Sequence, residues 1–171
     1  MTLPGIRPTF FILFLAAVSL MLTALYFEYV LKQIPCPLCI TIRVCVILGG
    51  LVALSAFLQN SNGYARRLYA VLGAVFAATG AGVAGRMLWL QNLPADQVPA
   101  CGPDLTYMLD NFPLLEALDI LFRGDGNCAE VTWRFMSLSI AGWTFVACAG
   151  LVLVNLWQGL RRSPASSGWL N

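Results

Sequence analysis

The chain has 171 residues, of which 59% are hydrophobic and 11% charged, and its formal net charge is +2. A soluble domain carries about 25% charged residues, so this composition favours an integral membrane protein, and the small net charge argues against nucleic acid as a partner. The chain contains no histidine, which excludes histidine zinc sites, catalytic triads and haem attachment through Cys-x-x-Cys-His. Any chemistry must therefore come from cysteine, carboxylate, arginine or a bound cofactor.

Four stretches are long and apolar enough to cross a hydrocarbon core, which needs about 20 helical residues. They are residues 9–30, 40–58, 68–90 and 135–157. The apolar part of the first stretch runs beyond the roughly 7 to 15 residues of a signal-peptide core, and no small-residue cleavage site follows it. We therefore predict an all-α membrane protein, in which a four-transmembrane-helix bundle forms a single domain over residues 1–171.

Basic side chains mark one side of the predicted bundle. The N-terminal tail, the connection 60–67 and the C-terminal tail carry five of the ten basic residues and no acidic residue: Arg7, Arg66, Arg67, Arg161 and Arg162. The positive-inside tendency predicts that these segments, with both termini, face the cytoplasm. The loops 31–39 and 91–134 then face the opposite side, which in a bacterial cell is the periplasm. We expect the tail 163–171 to be disordered.

The second periplasmic loop, residues 91–134, is long and contains four prolines, so we predict that it is mostly irregular. One part of it has apolar side chains at helical spacing, namely Leu114, Leu115, Leu118, Leu121 and Phe122. Glu116 and Asp119 fall on the opposite face of that helix. The pattern predicts a short amphipathic helix that either lies on the membrane surface or packs on the bundle.

The six cysteines fall into two groups by predicted topology. Four lie on the periplasmic side, where disulfides form and persist: Cys36, Cys39, Cys101 and Cys128. The other two, Cys45 and Cys148, lie within predicted spans. A thiol in hydrocarbon has little reactivity, so we interpret this second group as small apolar packing residues.

The Cys-Pro-Leu-Cys sequence sits where the second span should begin. Pro37 suits the first helical position, so we expect the helix to start near Cys36 and Cys39 to lie in its first turn. There the positive end of the helix dipole favours a thiolate. Arg43, four residues further along the same face, adds a permanent positive charge. An alternative for Arg43 is that it only extends towards the interface without a function.

Two other charged residues have simpler interpretations. We expect Arg86 to extend from the third span to the interface and Glu28 to reach water near the end of the first span.

Cys101 and Cys128 lie among glycine, proline and aspartate in the long loop. They could form a structural disulfide, or an exposed pair open to attack by a thiolate.

Taken together, these motifs resemble the DsbB family of bacterial disulfide-bond formation proteins over nearly the whole chain. The matching residues are Pro35-Cys36-Pro37-Leu38-Cys39 followed by Arg43, then Cys101, then Gly126-Asn127-Cys128-Ala129-Glu130 with Trp133 shortly after. The resemblance implies an enzyme, a membrane thiol:quinone oxidoreductase. Its cofactor would be ubiquinone or menaquinone from the membrane quinone pool. Its partner would be a periplasmic thioredoxin-fold oxidase resembling DsbA, and the chain would act as a monomer.

The resemblance also implies roles for individual residues. Cys101 and Cys128 would form the disulfide that the partner attacks, at Cys101. Cys128 would then exchange with the second pair, Cys36 with Cys39, and release Cys39 as a thiolate towards the quinone. Arg43 would hold the quinone oxygen and stabilise its developing charge.

One position departs from some members of that family. We align Met87 with a histidine that they carry near the quinone, and a methionine cannot donate a proton there. Either that histidine is dispensable, or quinone binding in this chain depends more on Arg43. Met87, Trp89 and Leu38 are the candidates for an apolar quinone pocket, although such residues commonly only pack or face lipid.

Three alternative classes of protein fit the sequence less well. An enzyme similar to vitamin K epoxide reductase has its Cys-x-x-Cys after the loop pair, the reverse of the order in this chain. A zinc site of the four periplasmic cysteines would lack the usual second close pair. A tetraspan protein with purely structural disulfides would not explain Cys39 at a helix start beside Arg43.

Overall fold

The computed structural model describes residues 5–32, 36–59, 63–94, 134–136 and 138–161. Within these ranges four long helices are present: α1 (Ile6–Tyr29), α2 (Pro37–Leu58), α3 (Gly63–Gln91) and α4 (Ile140–Leu160). Each is long and apolar enough to cross a membrane. A helix satisfies its own backbone hydrogen bonds, as a chain in lipid must. The predicted all-α membrane class is confirmed.

The helices start and end close to the predicted spans, with two differences. α3 begins at Gly63, ahead of the predicted start at 68, and so includes Arg66 and Arg67 in its first turns. α4 begins at Ile140, later than the predicted start at 135. The preceding residues instead form a short antiparallel ladder, in which Arg134 pairs with Ser139 and Phe135 with Leu138. Hydrophobicity alone cannot distinguish this turn from the helix that follows it.

Consecutive helices pack side by side in antiparallel fashion. α1 packs on α2, α2 on α3 and α3 on α4, whereas α1 and α4 meet only slightly. Small residues allow close approach along α3, as is common between membrane helices. A Cβ added at Gly73 would lie 2.5 Å from Oδ1 of Asn155 on α4. A side chain at this position would therefore push α4 away.

Two clusters of buried apolar side chains lie at opposite ends of the bundle. The first, which we term the cysteine-end cluster, consists of Cys36, Leu38, Ile42, Val83, Ala84, Met87, Leu90, Ala141 and Cys148. The second, at the end where α1 begins, consists of Phe10, Leu13, Ala53 and Ala56. Large apolar side chains such as Leu22 and Leu153 are exposed around the outside, as expected of a surface that faces lipid.

The start of α1 and the end of α4 lie at the same end of the bundle. The side-chain amide of Gln158, near the end of α4, donates to the backbone oxygen of Ile6 at 2.9 Å. Gln158 is fully buried at this contact between α1 and α4.

Several predicted features lie outside the described residues, namely most of the loop 91–134 with its amphipathic segment, and the tail 163–171.

Candidate functional site

The Cys-Pro-Leu-Cys sequence forms the first turn of α2, as predicted. Cys36 is the N-cap residue with extended backbone angles (φ −72°, ψ 161°), and Pro37 occupies the first helical position. Proline is suited to this place because its missing N–H would have had no partner there. The backbone N–H of Ile40 closes the turn on the oxygen of Cys36 at 3.2 Å.

This turn brings the two sulfur atoms together. The Sγ atoms of Cys36 and Cys39 lie 3.2 Å apart, so a small side-chain rotation would carry them to the roughly 2.05 Å of a disulfide bond. Cys36 is buried, whereas Cys39 is partly exposed. The first-turn N–H groups and the helix dipole favour negative charge on the sulfur of Cys39. The pair therefore has the geometry of a redox couple with one accessible thiol.

Met87 of α3 lies directly against this pair. Its Sδ is 3.9 Å from the Sγ of Cys39, and its side chain is buried within the cysteine-end cluster. Leu38 is also buried in that cluster. Of the three apolar residues predicted as candidates for a pocket, these two adjoin the cysteines, whereas Trp89 is more than half exposed. The surroundings of Cys39 are apolar and polarizable, with no proton donor at Met87.

Arg43 lies one helical turn beyond Cys39 and reaches across to α1. Its guanidinium forms a salt bridge with the carboxylate of Glu28 and donates to the backbone oxygen of Ala24 at 3.2 Å. Both partners of the salt bridge are mostly covered, at 20% and 27% exposure. A guanidinium has five N–H donors, so the two contacts leave capacity for a further acceptor. The same side chain thus anchors α2 to α1 and presents positive charge near Cys39.

Glu28 is the site residue that the sequence pattern did not reveal. We expected its carboxylate only to reach water near the interface; it is 27% exposed and is in addition the ion-pair partner of Arg43. A signal was available, since Glu28 is the one acidic residue that precedes the long loop. Charged residues near membrane spans tend to pair with each other.

Arg86 behaves as the interfacial side chain that we expected. It is exposed, and its guanidinium carbon lies 4.4 Å from the centre of the Trp89 ring, a cation–π contact. This contact explains why Trp89 stands outside the cysteine-end cluster.

Cys45 and Cys148 are both buried in the middle of the bundle. They approach each other across Gly80, where an added Cβ would lie 3.4 Å from the Sγ of Cys148 and 3.7 Å from the Cβ of Cys45. Their positions agree with the packing role predicted for them.

Cys101 and Cys128 lie outside the described residues, but both ends of the segment that carries them are described. Leu90, at the end of α3, and Ala141, at the start of α4, belong to the same buried cluster as Cys36. The Ser139 hydroxyl donates to Oε1 of Gln91 at 2.7 Å and ties these two ends together. The long loop therefore leaves and re-enters the bundle at the end where Cys36 and Cys39 lie.

No group of three or more cysteine or carboxylate side chains converges as a metal site among the described residues. The alternative zinc site involves Cys101 and Cys128, which lie outside them. The residues that are described do suit a quinone. An apolar cluster, a partly exposed thiol and a guanidinium with spare donors are features of a site for an apolar ring with polar oxygens.

Comparison with known proteins identifies the family. The family model described as disulfide bond formation protein DsbB matches residues 6–158. Disulfide bond formation protein B of Saccharophagus degradans is 54% identical over 94% of this chain and 97% of its own length. The corresponding proteins of Nitrosococcus oceani and Hahella chejuensis are 50% and 49% identical, covering 97% and 91% of this chain and 98% and 94% of their own lengths. The chain therefore belongs to the DsbB family of disulfide bond formation membrane proteins, as its cysteine motifs indicated.

Proposed function

We propose that this protein is a thiol:quinone oxidoreductase of the bacterial inner membrane that reoxidises a periplasmic DsbA-like dithiol protein. The observation that carries the proposal is the Cys36–Cys39 pair, whose sulfur atoms lie 3.2 Å apart at the start of a membrane-spanning helix. An apolar cluster surrounds the pair, and Arg43 follows one turn later. A structural disulfide protein would need neither the arginine nor a partly exposed thiol at a helix start.

The exchange begins at the loop cysteines. A thiolate of the reduced partner attacks Cys101 of the Cys101–Cys128 disulfide, forms a mixed disulfide and releases Cys128 as a thiolate. The partner's second thiol then displaces Cys101, so that the partner leaves oxidised and the loop pair holds two electrons. The fixed ends of the loop, joined through Ser139 and Gln91, support its exchange with the pair on α2.

The second exchange transfers these electrons to α2. The thiolate of Cys128 attacks Cys36 of the Cys36–Cys39 disulfide, and Cys39 leaves as a thiolate. The helix dipole stabilises this leaving group, and lower basicity makes a thiol leave faster. Cys101 then displaces Cys36 from Cys128, which restores the loop disulfide and leaves both α2 cysteines reduced. Cys36 and Cys39 thus have unequal tasks, since Cys36 exchanges with the loop pair and Cys39 is released towards the quinone.

Arg43, Cys39 and Met87 are the residues that would hold the quinone. A bound quinone supplies an acceptor for two electrons. The spare N–H donors of Arg43 would bind a quinone oxygen and stabilise negative charge there. Met87 and Leu38 lie in the buried apolar cluster beside Cys39 and would give a quinone ring apolar contacts.

The orientation follows from charge. Arg7, Arg66 and Arg161 lie at the end of the bundle opposite Cys36. If that end faces the cytoplasm, as positive charge favours, the cysteine pair faces the periplasm. A thioredoxin-fold partner is then on the correct side to reach the loop.

Quinone-dependent oxidation of a reduced thioredoxin-fold dithiol protein by the purified full chain tests this function. We expect rapid loss of partner thiols with ubiquinone or menaquinone, and no turnover in Cys39→Ser. Cys45→Ser is the matched control, because it makes the same replacement at a buried cysteine outside the cysteine-end cluster, and it should retain activity. Partner oxidation that proceeds equally in Cys39→Ser, or that never responds to quinone, would exclude the proposal.

A further inference from the structure

Arg66 is a buried cation at the end of the bundle opposite the cysteines. It lies in the first turn of α3 and has the largest side chain among those that are less than 2% exposed. Its Nε and Nη1 atoms are buried and have no hydrogen-bond partner. Buried guanidinium groups are normally paired and hydrogen-bonded. The guanidinium of Arg66 therefore needs a further group that accepts hydrogen bonds from these two nitrogen atoms.

Among the residues that the structure describes, no carboxylate side chain lies near Arg66. Among the described residues the one acidic side chain is Glu28, which pairs with Arg43 at the other end of α1. The remaining seven acidic residues lie in the segment joining α3 to α4 at the cysteine end. α3 has 29 residues, so its ends are about 44 Å apart. Within the part of the chain that the structure describes, Arg66 therefore has no salt bridge.

The surroundings of Arg66 increase its need for an anion. The positive charges of Arg67 and Arg161 both act on it, and the helix dipole of α3 adds further positive potential at this end. Oε1 of Gln158 is another buried atom without a partner. A neutral amide oxygen can accept hydrogen bonds, but it cannot balance the charge of Arg66.

We propose that Arg66 is the centre of an anion site that binds a phosphate group, with Arg67 and Arg161 contributing charge. A phosphate offers several acceptor oxygens and negative charge, and a guanidinium fork binds it in bidentate fashion. The phosphate of an anionic phospholipid and free phosphate share this chemistry. Arg66 lies only one turn from the end of a membrane-spanning helix, where lipid headgroups are found. The site is separate from the cysteine pair and does not depend on the proposed function.

Thermal unfolding of the delipidated full chain in dodecyl maltoside tests the site. One series adds sodium phosphate against sodium chloride at equal ionic strength. A second adds phosphatidylglycerol against zwitterionic phosphatidylcholine in mixed micelles. We expect the unfolding midpoint to rise by several degrees with phosphatidylglycerol. A rise with inorganic phosphate as well would assign an open anion site, and a rise with the lipid alone would assign a headgroup site. No rise with either probe would overturn the proposal.

Variants on the same helix identify the residue responsible. Arg66→Gln should weaken the apparent affinity for the effective probe roughly thirtyfold or more, because a buried partner is lost. Arg67→Gln removes the same charge from an exposed neighbour and should cost less than about fivefold. Arg86→Gln, at the far end of α3, should change nothing. If Arg66→Gln does not fold, Arg66→Lys should bind about tenfold more weakly, since it lacks the planar fork. Binding equal to wild type in either Arg66 variant would reject the assignment.

Discussion

Arg43 and Arg66 each lie near the start of a membrane-spanning helix, but their guanidinium groups differ in exposure and in hydrogen-bond partners. Arg43 reaches a carboxylate and a backbone oxygen on α1 and stays 20% exposed. Arg66 is 1% exposed, and two of its nitrogen atoms lack partners. The cysteine end therefore supplies its own counter-charge, whereas no described acidic side chain lies beside Arg66 at the opposite end. The comparison shows that helix position alone does not determine what a membrane arginine does.

Arg43→Ala should have a larger effect than any other change away from the cysteines. We expect quinone-dependent turnover to fall about a hundredfold, the usual order when a group that stabilises developing negative charge is lost. Both disulfides should still form with a chemical oxidant, which separates quinone use from thiol chemistry. Arg86→Ala, an exposed arginine near the same end, is the control and should retain turnover. Unchanged quinone kinetics in Arg43→Ala would remove Arg43 from the mechanism.

Glu28→Gln makes Arg43 resemble Arg66 by removing its counter-charge. Glu28 acts as a positioning residue, so we expect kcat/KM for quinone to fall about tenfold, the lower limit for loss of a hydrogen bond to a charged group. The loss should appear mainly in the KM for quinone, because the guanidinium remains but is less well placed. Glu28→Asp keeps the carboxylate and should therefore reverse part of the change in KM. A fall in stability with an unaltered KM would show that the ion pair only joins α1 to α2.

Arg66→Met tests the opposite end. In detergent without phosphate or anionic lipid, removing an uncompensated buried charge should stabilise the fold by about 1 kcal/mol or more, a rise in unfolding midpoint of about 2 to 4 °C. With phosphatidylglycerol the order should reverse, and wild type should be the more stable. Arg43→Met leaves the Glu28 carboxylate without its ion-pair partner, so this variant should be less stable than wild type in both conditions. If both methionine variants shift the midpoint alike, the two arginines do not differ as we infer.

Met87→Leu should have the smallest effect. The two side chains have similar volumes, and such a change usually costs less than about 1.5 kcal/mol in stability. Because Met87 supplies apolar contact to Cys39 and no proton, we expect quinone turnover within about twofold of wild type. A loss of tenfold or more, measured under the same conditions, would indicate that the thioether itself takes part.

Much of the site was predictable because its signals are local. The N-cap position of Cys36 and the first-turn position of Cys39 follow from Pro37, since proline is confined to the start of a helix. The start of α4 was not predictable from hydrophobicity, because the turn at Met136, with φ of 50°, lies between Phe135 and Leu138, whose apolar side chains extend the run of the helix backwards. The contact between Met87 and Cys39 joins residues on two helices, and no local pattern encodes it.

By itself, the sequence determined four membrane-spanning helices, the division of its cysteines and the family. Each of these depends on the length of an apolar run or on a short motif, and lipid leaves a spanning chain little choice but a helix. Only the tertiary structure decided which charges meet. Glu28 and Arg43 pair because α1 and α2 pack antiparallel. Arg66 has no such partner because helix packing carries it away from every acidic side chain described. Pairing depends on distance in space, which the order of residues along one helix does not specify.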